Sequence, residues 1–429
     1  MTPSTRLLAY NAAAALNAAN ALRPLDRRGP ASGLAYVAGW PTSELPLPAL
    51  GLHLAANTVG ARAGGLRGRA GAANVALLAG TTGVLLGLDR AGRQAFRAYE
   101  DALRAALGYD YRARIAHPTF PGPDAATART PGLIRLARIR RRFALDADIT
   151  YGPAGRANQL DVWHRSDLPR DARAPVLLQM PGGAWMLGSK QGQAYPLMSH
   201  LVERGWVCVA MSYRLSPRHA WPAHIVDVKR ALAWVRANIA DYGGDPDFIG
   251  VTGGSAGGHL CSLAALTPND LQWQPGFEDV DTSVAAAVPF YGAYDWTNRD
   301  HVGNRGLISL LQKRVVKQSF RDAFAVFDEA SPMSHIGPHA PPFFLSHGTN
   351  DSLIPIEEGR LFAQRLRAAS RRPVVYTELP RAQHAFDVVG TPRATAAAEA
   401  VSRFLGVIYG EYLASRTPAI VADEARPTP

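Results

Sequence analysis

The sequence between residues 143 and 415 alternates short apolar runs with longer helical patterns, and this alternation limits the possible folds most strongly. The middle runs are continuously apolar, as expected of parallel strands that helices cover on both faces. The βαβ order therefore predicts an α/β fold with a doubly wound, mostly parallel sheet. We predict strands at 143–151, 159–165, 175–180, 207–213, 248–252, 285–291, 342–346 and 374–379, and helices at 222–242, 256–266, 357–369 and near 394–415.

The first 142 residues differ in composition and predict a separate helical region that is rich in Ala, Gly, Leu and Arg. Residues 70–88 carry no charge and reach the length of a membrane-spanning helix. Residues 45–61 are also uncharged, although prolines interrupt them. Two interpretations stay open: a membrane-associated region with candidate spans at 45–61 and 70–88, or buried helices of a soluble, cytoplasmic protein. A signal peptide is a third reading of the first twenty residues.

The domain prediction is thus a helical region at 1–142, a catalytic domain at 143–415 and a flexible tail at 416–429.

The net charge is +11, and only four of the 46 basic residues are lysines. No zinc-finger spacing or RNA-binding motif accompanies this charge, so we expect no nucleic-acid partner. The two cysteines, Cys208 and Cys261, lie in apolar surroundings and are expected to be buried free thiols. Neither a metal nor an organic cofactor is predicted.

The stretch "IGVTGGSAGGHL" contains a G-x-S-x-G motif centred on Ser255, between a predicted strand and a predicted helix. A tight strand-to-helix turn needs small residues around the serine and raises its hydroxyl above the sheet edge. The plainer interpretation of this motif is that it occurs by chance or forms a glycine-rich turn that binds a phosphate. The correct flanking elements favour a nucleophile at Ser255.

A serine nucleophile needs a histidine base and a carboxylate that orients it, here expected in the chain order Ser, acid, His. "FFLSHGTNDSLIP" places Asp351 on a loop after an apolar strand, and "PRAQHAF" places His384 in the loop after the next strand. One helix and one strand fill the gap between them, as this topology requires. The predicted catalytic residues are therefore Ser255, Asp351 and His384.

Three other residues compete for these roles. His347 ends the same strand as Asp351 and reads better as a structural histidine than as the base. His259 lies one helical turn after Ser255 and is carried away from the reacting centre. Asp387 is a weaker orienting group than Asp351, because it does not follow a strand end.

The chain from about 143 to 413 resembles the α/β-hydrolase carboxylesterases, closest to the hormone-sensitive-lipase-like esterases and their bacterial relatives. The resemblance rests on "PGGAWMLGS", on "SYRLSPRHAWPAHIVDVKRALAWVRANIADYGGDPDFIGVTGGSAGGHL", on "LSHGTNDSLIP" and on "AQHAF". It covers roughly two-thirds of the chain. The N-terminal part is more loosely similar to membrane-linked members, including the isoprenylcysteine methylesterase type.

In "QMPGGAWMLGS" the family's His-Gly-Gly-Gly motif has Pro181 in place of the histidine and Ala184 in place of the third glycine. An oxyanion hole needs backbone N–H groups, which the substitutions leave available. We predict that Gly182, Gly183 and Ala256 donate them. Trp185 is predicted either to line the substrate pocket or to pack in the core, and the insert at 295–339 is expected to shape the pocket.

The resemblance implies hydrolysis of short- to medium-chain acyl esters through an acyl-enzyme on Ser255. The substrate would be a small-molecule or lipid ester, with membrane contact through the N-terminal region. The alternatives are an amidase or peptidase of the same fold and a non-catalytic, membrane-linked binding protein. The triad and the oxyanion donors serve amides as well as esters.

Overall fold

A computed structural model of the chain describes residues 1–118 and 139–416. Residues 119–138 lie outside the described part, as does the predicted tail from residue 417 onward. The described residues form a sheet sandwiched by helices and a group of helices that precedes the sheet.

The sheet has eight strands in the order β1-β2-β4-β3-β5-β6-β7-β8. The β2 strand pairs antiparallel with β1 and β4, and every other neighbouring pair is parallel. All eight predicted strands are present, so the predicted α/β-hydrolase fold with a mostly parallel sheet is confirmed. The strands are β1 Ala144–Thr150, β2 Gln159–Trp163, β3 Ala174–Met180, β4 Val207–Met211, β5 Gly244–Gly254, β6 Ala286–Phe290, β7 Phe343–Gly348 and β8 Val374–Leu379.

Helices cover both faces of the sheet and bury an apolar core on each. One core contains residues of the helices Ala223–Asn238, Ala256–Leu266 and Ile356–Ala369, and the other contains residues of the helices Ala95–Leu107, Tyr195–Val202 and Pro392–Arg416. This burial explains why the central strands are continuously apolar. The helices from the sheet region onward are α6 Tyr195–Val202, α7 Ala223–Asn238, α8 Ala256–Leu266, α9 Leu307–Leu310, α10 Phe324–Glu329, α11 Ile356–Ala369 and α12 Pro392–Arg416.

Within residues 1–118, five α-helices precede the sheet, and the two uncharged stretches of the sequence fall within α3 and α4. Among the described residues, the continuous helical run Gly68–Leu107 is long and apolar enough to cross a membrane, and 28% of its most apolar window is buried. Sequence reasoning did not assign α1 and α2. The five helices are α1 Pro3–Leu22, α2 Ser32–Glu44, α3 Pro46–Arg62, α4 Gly68–Arg93 and α5 Ala95–Leu107.

A buried ion pair joins these helices to the sheet domain. The Arg393 guanidinium of α12 donates from Nη1 to Glu44 Oε2 at the end of α2 over 3.0 Å. Both side chains are almost fully buried, and Arg393 also donates to the Ser43 carbonyl. Removing either partner would leave a buried charge without compensation, so the contact fixes α2 against the catalytic domain.

Candidate active site

Ser255 occupies the turn between β5 and α8 with φ 59° and ψ −121°. A non-glycine residue reaches this region only when its surroundings enforce it. The surroundings here are tight: a Cβ on Gly257 would lie 2.2 Å from the Met180 carbonyl oxygen, so only glycine fits. The Ser255 N–H donates to the Phe290 carbonyl over 3.0 Å. The turn thus holds the serine at the carboxyl edge of the sheet, at the N-terminus of α8.

Asp351 and His384 meet in the loops after β7 and β8. Asp351 Oδ2 lies 2.7 Å from His384 Nδ1, and Asp351 Oδ1 accepts from the N–H groups of Leu353 and Ile354. Burial raises the pKa of the Asp351 carboxyl, but the neighbouring histidines His384 and His347 outweigh it and hold the pKa below its usual range. Asp351 is therefore an ionised carboxylate directed at the histidine.

The end of β6 links the serine to the histidine. The Phe290 carbonyl accepts from the Ser255 N–H, and the ring of the next residue, Tyr291, lies tilted against the His384 ring at 4.5 Å between centroids. The Tyr291 hydroxyl donates to Asp387. Each carboxylate near the histidine thus has its own partner. Asp351 contacts the imidazole of His384, whereas Asp387 accepts a hydrogen bond from the Tyr291 hydroxyl.

His347 and His259 have structural contacts. His347 Nε2 lies 2.9 Å from the Ile354 carbonyl oxygen and 3.2 Å from Asp351 Oδ2, so it braces the acid loop. His259 accepts from the Trp185 indole N–H over 3.1 Å, and its Nε2 lies 2.7 Å from the Ala330 carbonyl oxygen. Burial lowers the pKa of His259 to about 3, so this histidine is neutral at physiological pH.

One N–H group of the predicted oxyanion loop already has a partner. The Gly182 N–H donates to Gln193 Oε1 over 2.7 Å, so a substrate oxyanion cannot use it without displacing Gln193. Gly183, with φ 127°, and Ala184, with φ 53°, follow in the bend. Ala184 lines the cavity beside Ser255. The Gly182 N–H is therefore already paired within the protein, unlike a donor that waits for substrate.

Two side chains brace this loop beside Pro181 and Gly182. Gln193 Nε2 donates back to the Gly182 carbonyl over 3.1 Å, which completes a two-bond clamp. The Tyr213 hydroxyl donates to the Pro181 carbonyl over 2.9 Å. Sequence reasoning missed Gln193, which lies in a polar loop of no regular pattern. Tyr213 was visible within the "SYRLSP" stretch, although without a role.

A mostly apolar cavity of about 230 Å³ opens beside Ser255. Trp185 lines it, and its indole also packs edge-on against Trp296 at 4.8 Å between ring centroids, so this residue both packs and lines the pocket. The 295–339 insert contributes part of the wall, as expected. The lining residues are Ala184, Trp185, Ser255, Ala256, Ala293, Asn304, Gly306, Leu307, Leu310, Leu353 and Ile354.

Helix α2 lies on the acid and histidine loops. The Tyr36 ring meets the His384 ring edge-on at 5.9 Å between centroids. The Trp40 indole N–H donates to the Ala385 carbonyl over 3.1 Å, and Glu44 Oε1 accepts from the Gln383 N–H over 3.0 Å. These contacts join residues more than 300 positions apart, and no local pattern in the sequence points to them.

Gln383 ties the two catalytic loops together. Its Oε1 accepts from the N–H groups of Ser352 and His384, each over 2.9 Å. A single side chain therefore sets the distance between the acid loop and the histidine loop.

Across residues 1–118 and 139–416, no group of three or more His, Cys, Asp or Glu side chains is arranged to hold a metal ion. Cys208 and Cys261 are both buried free thiols.

An eight-stranded sheet of this order, with a serine on the strand-to-helix turn after β5, defines an α/β-hydrolase. The BD-FAE family model matches residues 160–366. The chain is 51% identical to the probable carboxylic ester hydrolase LipM of Mycobacterium tuberculosis over 93% of this chain and 92% of the relative. It is 47% identical to esterase LipQ of the same organism, over 91% and 88% of the two chains.

Among solved structures, esterase 2 of Thermogutta terrifontis phosphonylated by sarin is similar, with a TM-score of 0.53 and 25% identity. The likeness covers 61% of this chain and 95% of that one. The protein belongs to the α/β-hydrolase carboxylesterases of the hormone-sensitive-lipase-like group. It is a carboxylic ester hydrolase.

Proposed function

We propose that the protein cleaves short- to medium-chain acyl esters through an acyl-enzyme on Ser255, with His384 as general base and Asp351 as its orienting carboxylate. The observation that supports this most is the 2.7 Å contact between Asp351 Oδ2 and His384 Nδ1. An ionised carboxylate on that side keeps the imidazole proton on Nδ1 and leaves Nε2 as the base. His384 then takes the Ser255 proton during attack and returns it to the leaving alcohol.

The tetrahedral intermediate needs donors that are already in place when negative charge develops. The Ala256 N–H, at the start of α8, is one such donor. Gly183 is the second, as the sequence predicts, and Ala184 takes the place of Gly182 as the third. Water then attacks the acyl-enzyme with His384 again as base, which releases the acid and restores the serine.

The cavity supports a short or medium acyl group. Its volume of about 230 Å³ lies below the roughly 300–1,000 Å³ common for sites that enclose drug-sized ligands. Leu307, Leu310, Leu353 and Ile354 give it an apolar wall that suits an alkyl chain. Trp185 and Ala184 bound it on the oxyanion side.

The N-terminal helical region contacts a membrane. The run Gly68–Leu107 supports this, because it is long enough to cross a membrane and only 28% of its most apolar 18-residue window is buried. Exposed apolar surface of that extent on a soluble protein is unfavourable. We therefore place the protein at a membrane rather than free in the cytoplasm.

The direct test is a p-nitrophenyl ester series from acetate to laurate with wild type, Ser255→Ala and the control Ser319→Ala, an exposed serine outside the site. We expect Ser255→Ala to lose at least 10³-fold in kcat/KM on every ester and Ser319→Ala to lose nothing. Activity within tenfold of wild type in Ser255→Ala would contradict the proposal. Faster turnover of matching p-nitroanilides than of the esters would instead favour the amidase alternative.

A further inference from the structure

The N-terminal helices bury polar side chains in their interior, beside a small apolar cluster that contains Ala21, Leu85 and Leu88. Asn11 of α1 donates from Nδ2 to Asn57 Oδ1 of α3 over 2.9 Å and to Asn74 Oδ1 of α4 over 3.1 Å. All three asparagines are at most 4% exposed, and His53 and Thr81 are buried with them. A bundle in water places such polar side chains outside and apolar ones inside. Here hydrogen-bonded asparagines join the three helices from within.

The outward faces of the same helices are apolar. Leu52 and Val59 both belong to the regular helix α3, yet Leu52 is 74% exposed and Val59 is 67% exposed. The outward faces of α1, α3 and α4 carry no charged side chain between their end turns. The large exposed apolar residues on these faces are Tyr10, Leu16, Leu47, Leu52, Leu54, Val59, Val75 and Leu86.

Arginines mark the two ends of the bundle. The run of α4 between Arg69 and Arg90 contains 20 intervening positions, which at ~1.5 Å per residue is about 30 Å, the thickness of a hydrocarbon core. The end formed by the start of α1, the end of α3 and the start of α4 carries Arg6, Arg62, Arg67 and Arg69. The opposite end carries Arg23, Arg27, Arg28, Arg90 and Arg93.

The catalytic domain attaches at the second of these ends. Asn350, next to Asp351, donates from Nδ2 to the carbonyls of Ala21 and Leu22 at the end of α1 over 2.8 and 2.9 Å. Arg27 donates to Asn350 Oδ1 over 3.1 Å. The acid loop of the site is therefore in direct contact with the bundle end.

Helix α2 connects this end to the active site. Its inward residues touch His384, Ala385 and Gln383, as described above. Its outward positions are Leu34, 73% exposed, Val37, 66% exposed, and the exposed Ala38 and Pro41. The only charged residue in α2 is Glu44, which is buried. A short helix with an apolar outer face suits the plane of a membrane interface.

We infer that α1, α3 and α4 are embedded in a bilayer, that α2 lies in its interface, and that the enzyme draws a bilayer-resident lipid ester directly into the site. The occupant of the apolar outer face is the acyl-chain region of the membrane. The substrate keeps its larger apolar part in the bilayer and presents a short or medium acyl group to the cavity beside Ser255. This inference rests on the proposed function and adds a third embedded helix, α1, to the two candidate spans.

Cysteine labelling in nanodiscs tests the embedding, because the two native cysteines are fully buried. The probe is a water-soluble maleimide, and the variants are Leu52→Cys on α3 and Leu271→Cys, a 61% exposed leucine of the catalytic domain. Both faces of a nanodisc are open to the reagent, so sidedness does not affect the comparison. We expect Leu271→Cys to react at least tenfold faster. Equal rates would overturn the embedding.

A matched pair of esters tests the substrate route. Hexadecyl butyrate resides in phosphatidylcholine vesicles and ethyl butyrate in water, and both release butyrate. With enzyme reconstituted in vesicles, we expect hexadecyl butyrate in the same vesicles to be cleaved at least tenfold faster than in separate vesicles. Equal rates would overturn the inference.

A variant of the outer face of α2 completes this test. We expect Val37→Asp to lower hexadecyl butyrate cleavage at least fivefold while ethyl butyrate cleavage stays within twofold, and the control Leu271→Asp to change neither. An unchanged hexadecyl butyrate rate in Val37→Asp would contradict the route through the interface. Failure of the wild type to cleave ethyl butyrate would instead contradict the proposed function.

Discussion

Gln193 clamps Gly182 through both of its backbone groups: the Gly182 N–H donates to Gln193 Oε1 over 2.7 Å, and Gln193 Nε2 donates to the Gly182 carbonyl over 3.1 Å. The clamp fixes the glycine that precedes Gly183 and Ala184, and Ala184 lines the cavity beside Ser255. The loop can therefore hold its shape with Pro181 at the position of the histidine in the His-Gly-Gly-Gly motif that it resembles. Oxyanion donors act only when they are rigidly placed, so the clamp is a positioning device for the proposed reaction.

We predict that Gln193→Ala lowers kcat about tenfold or more and changes KM little, because misplaced donors stabilise the transition state less. Gln193→Glu keeps the acceptor and loses the donor, and should fall between wild type and Gln193→Ala. The nearby exposed Gln191→Ala is the matched control. Steady-state kinetics on p-nitrophenyl butyrate measures these effects. A Gln193→Ala enzyme with wild-type kcat would exclude a positioning role.

The two carboxylates near His384 should differ in effect. Asp351→Asn is expected to lower kcat by ~10⁴, because an amide no longer fixes the imidazole proton on Nδ1. Asp387→Asn should cost less than tenfold, since its partner is the Tyr291 hydroxyl. Kinetics of both variants at one pH, with circular dichroism to check folding, decides between them. A larger loss of kcat in Asp387→Asn than in Asp351→Asn would show that the assignment of Asp351 as the catalytic acid is wrong.

Glu358 should make stability depend on pH. Burial raises the pKa of its carboxyl to about 7, although the Tyr294 and Asp295 N–H groups donate to it. The folded state therefore holds a proton that the unfolded chain releases near its ordinary pKa of 4.5. This contribution is fully present below pH 4.5 and is lost as the pH rises towards 7.

The neutral variant Glu358→Gln keeps an acceptor for the two N–H groups and removes the titration. Its Tm should therefore rise relative to that of wild type as the pH increases from 5 to 8. The exposed Glu329→Gln is the control and should follow wild type at every pH. Thermal unfolding at four pH values measures this. A constant difference between Glu358→Gln and wild type across the range would contradict the assignment.

The buried pair of Glu44 and Arg393 should show strong coupling. Glu44→Ala leaves the Arg393 guanidinium uncompensated, and breaking a buried pair in this way costs about 3–5 kcal/mol. Glu44→Ala combined with Arg393→Met removes both charges and should be less destabilised than Glu44→Ala alone. Thermal unfolding of the two single variants and the double variant provides the cycle. Strict additivity would show that the pair does not couple α2 to α12.

The sheet and the serine turn could be predicted because they follow from local pattern. The eight predicted strands correspond to eight strands, the middle ones as continuous apolar runs, and the small residues around Ser255 fit a tight strand-to-helix turn. Asp351 and His384 were recognisable because each directly follows a strand whose carboxyl end reaches the same sheet edge. In these cases a short stretch of sequence carries the whole physical reason for its structure.

Three features were not predictable in this way: the position of helix α2, the role of Gln193, and the pairing of the Gly182 N–H with a side chain. Pro41 and two glycines weaken the helical pattern of α2, and its position depends on contacts with residues beyond 380. The glycines after β3 reveal a bend, but not which N–H a side chain already occupies. The polar interior of α1, α3 and α4 was likewise hidden, because single asparagines look like weaknesses in an apolar helix until their partners are known.

The most direct test of the proposed chemistry is to map the covalent adduct of diethyl p-nitrophenyl phosphate by peptide mass spectrometry. The adduct should lie on Ser255 in the wild type, disappear in Ser255→Ala, and form at least 100-fold more slowly in His384→Ala. These results follow if His384 activates this serine. An adduct on another residue, or stoichiometric labelling of Ser255→Ala, would contradict the assignment of Ser255 as the nucleophile.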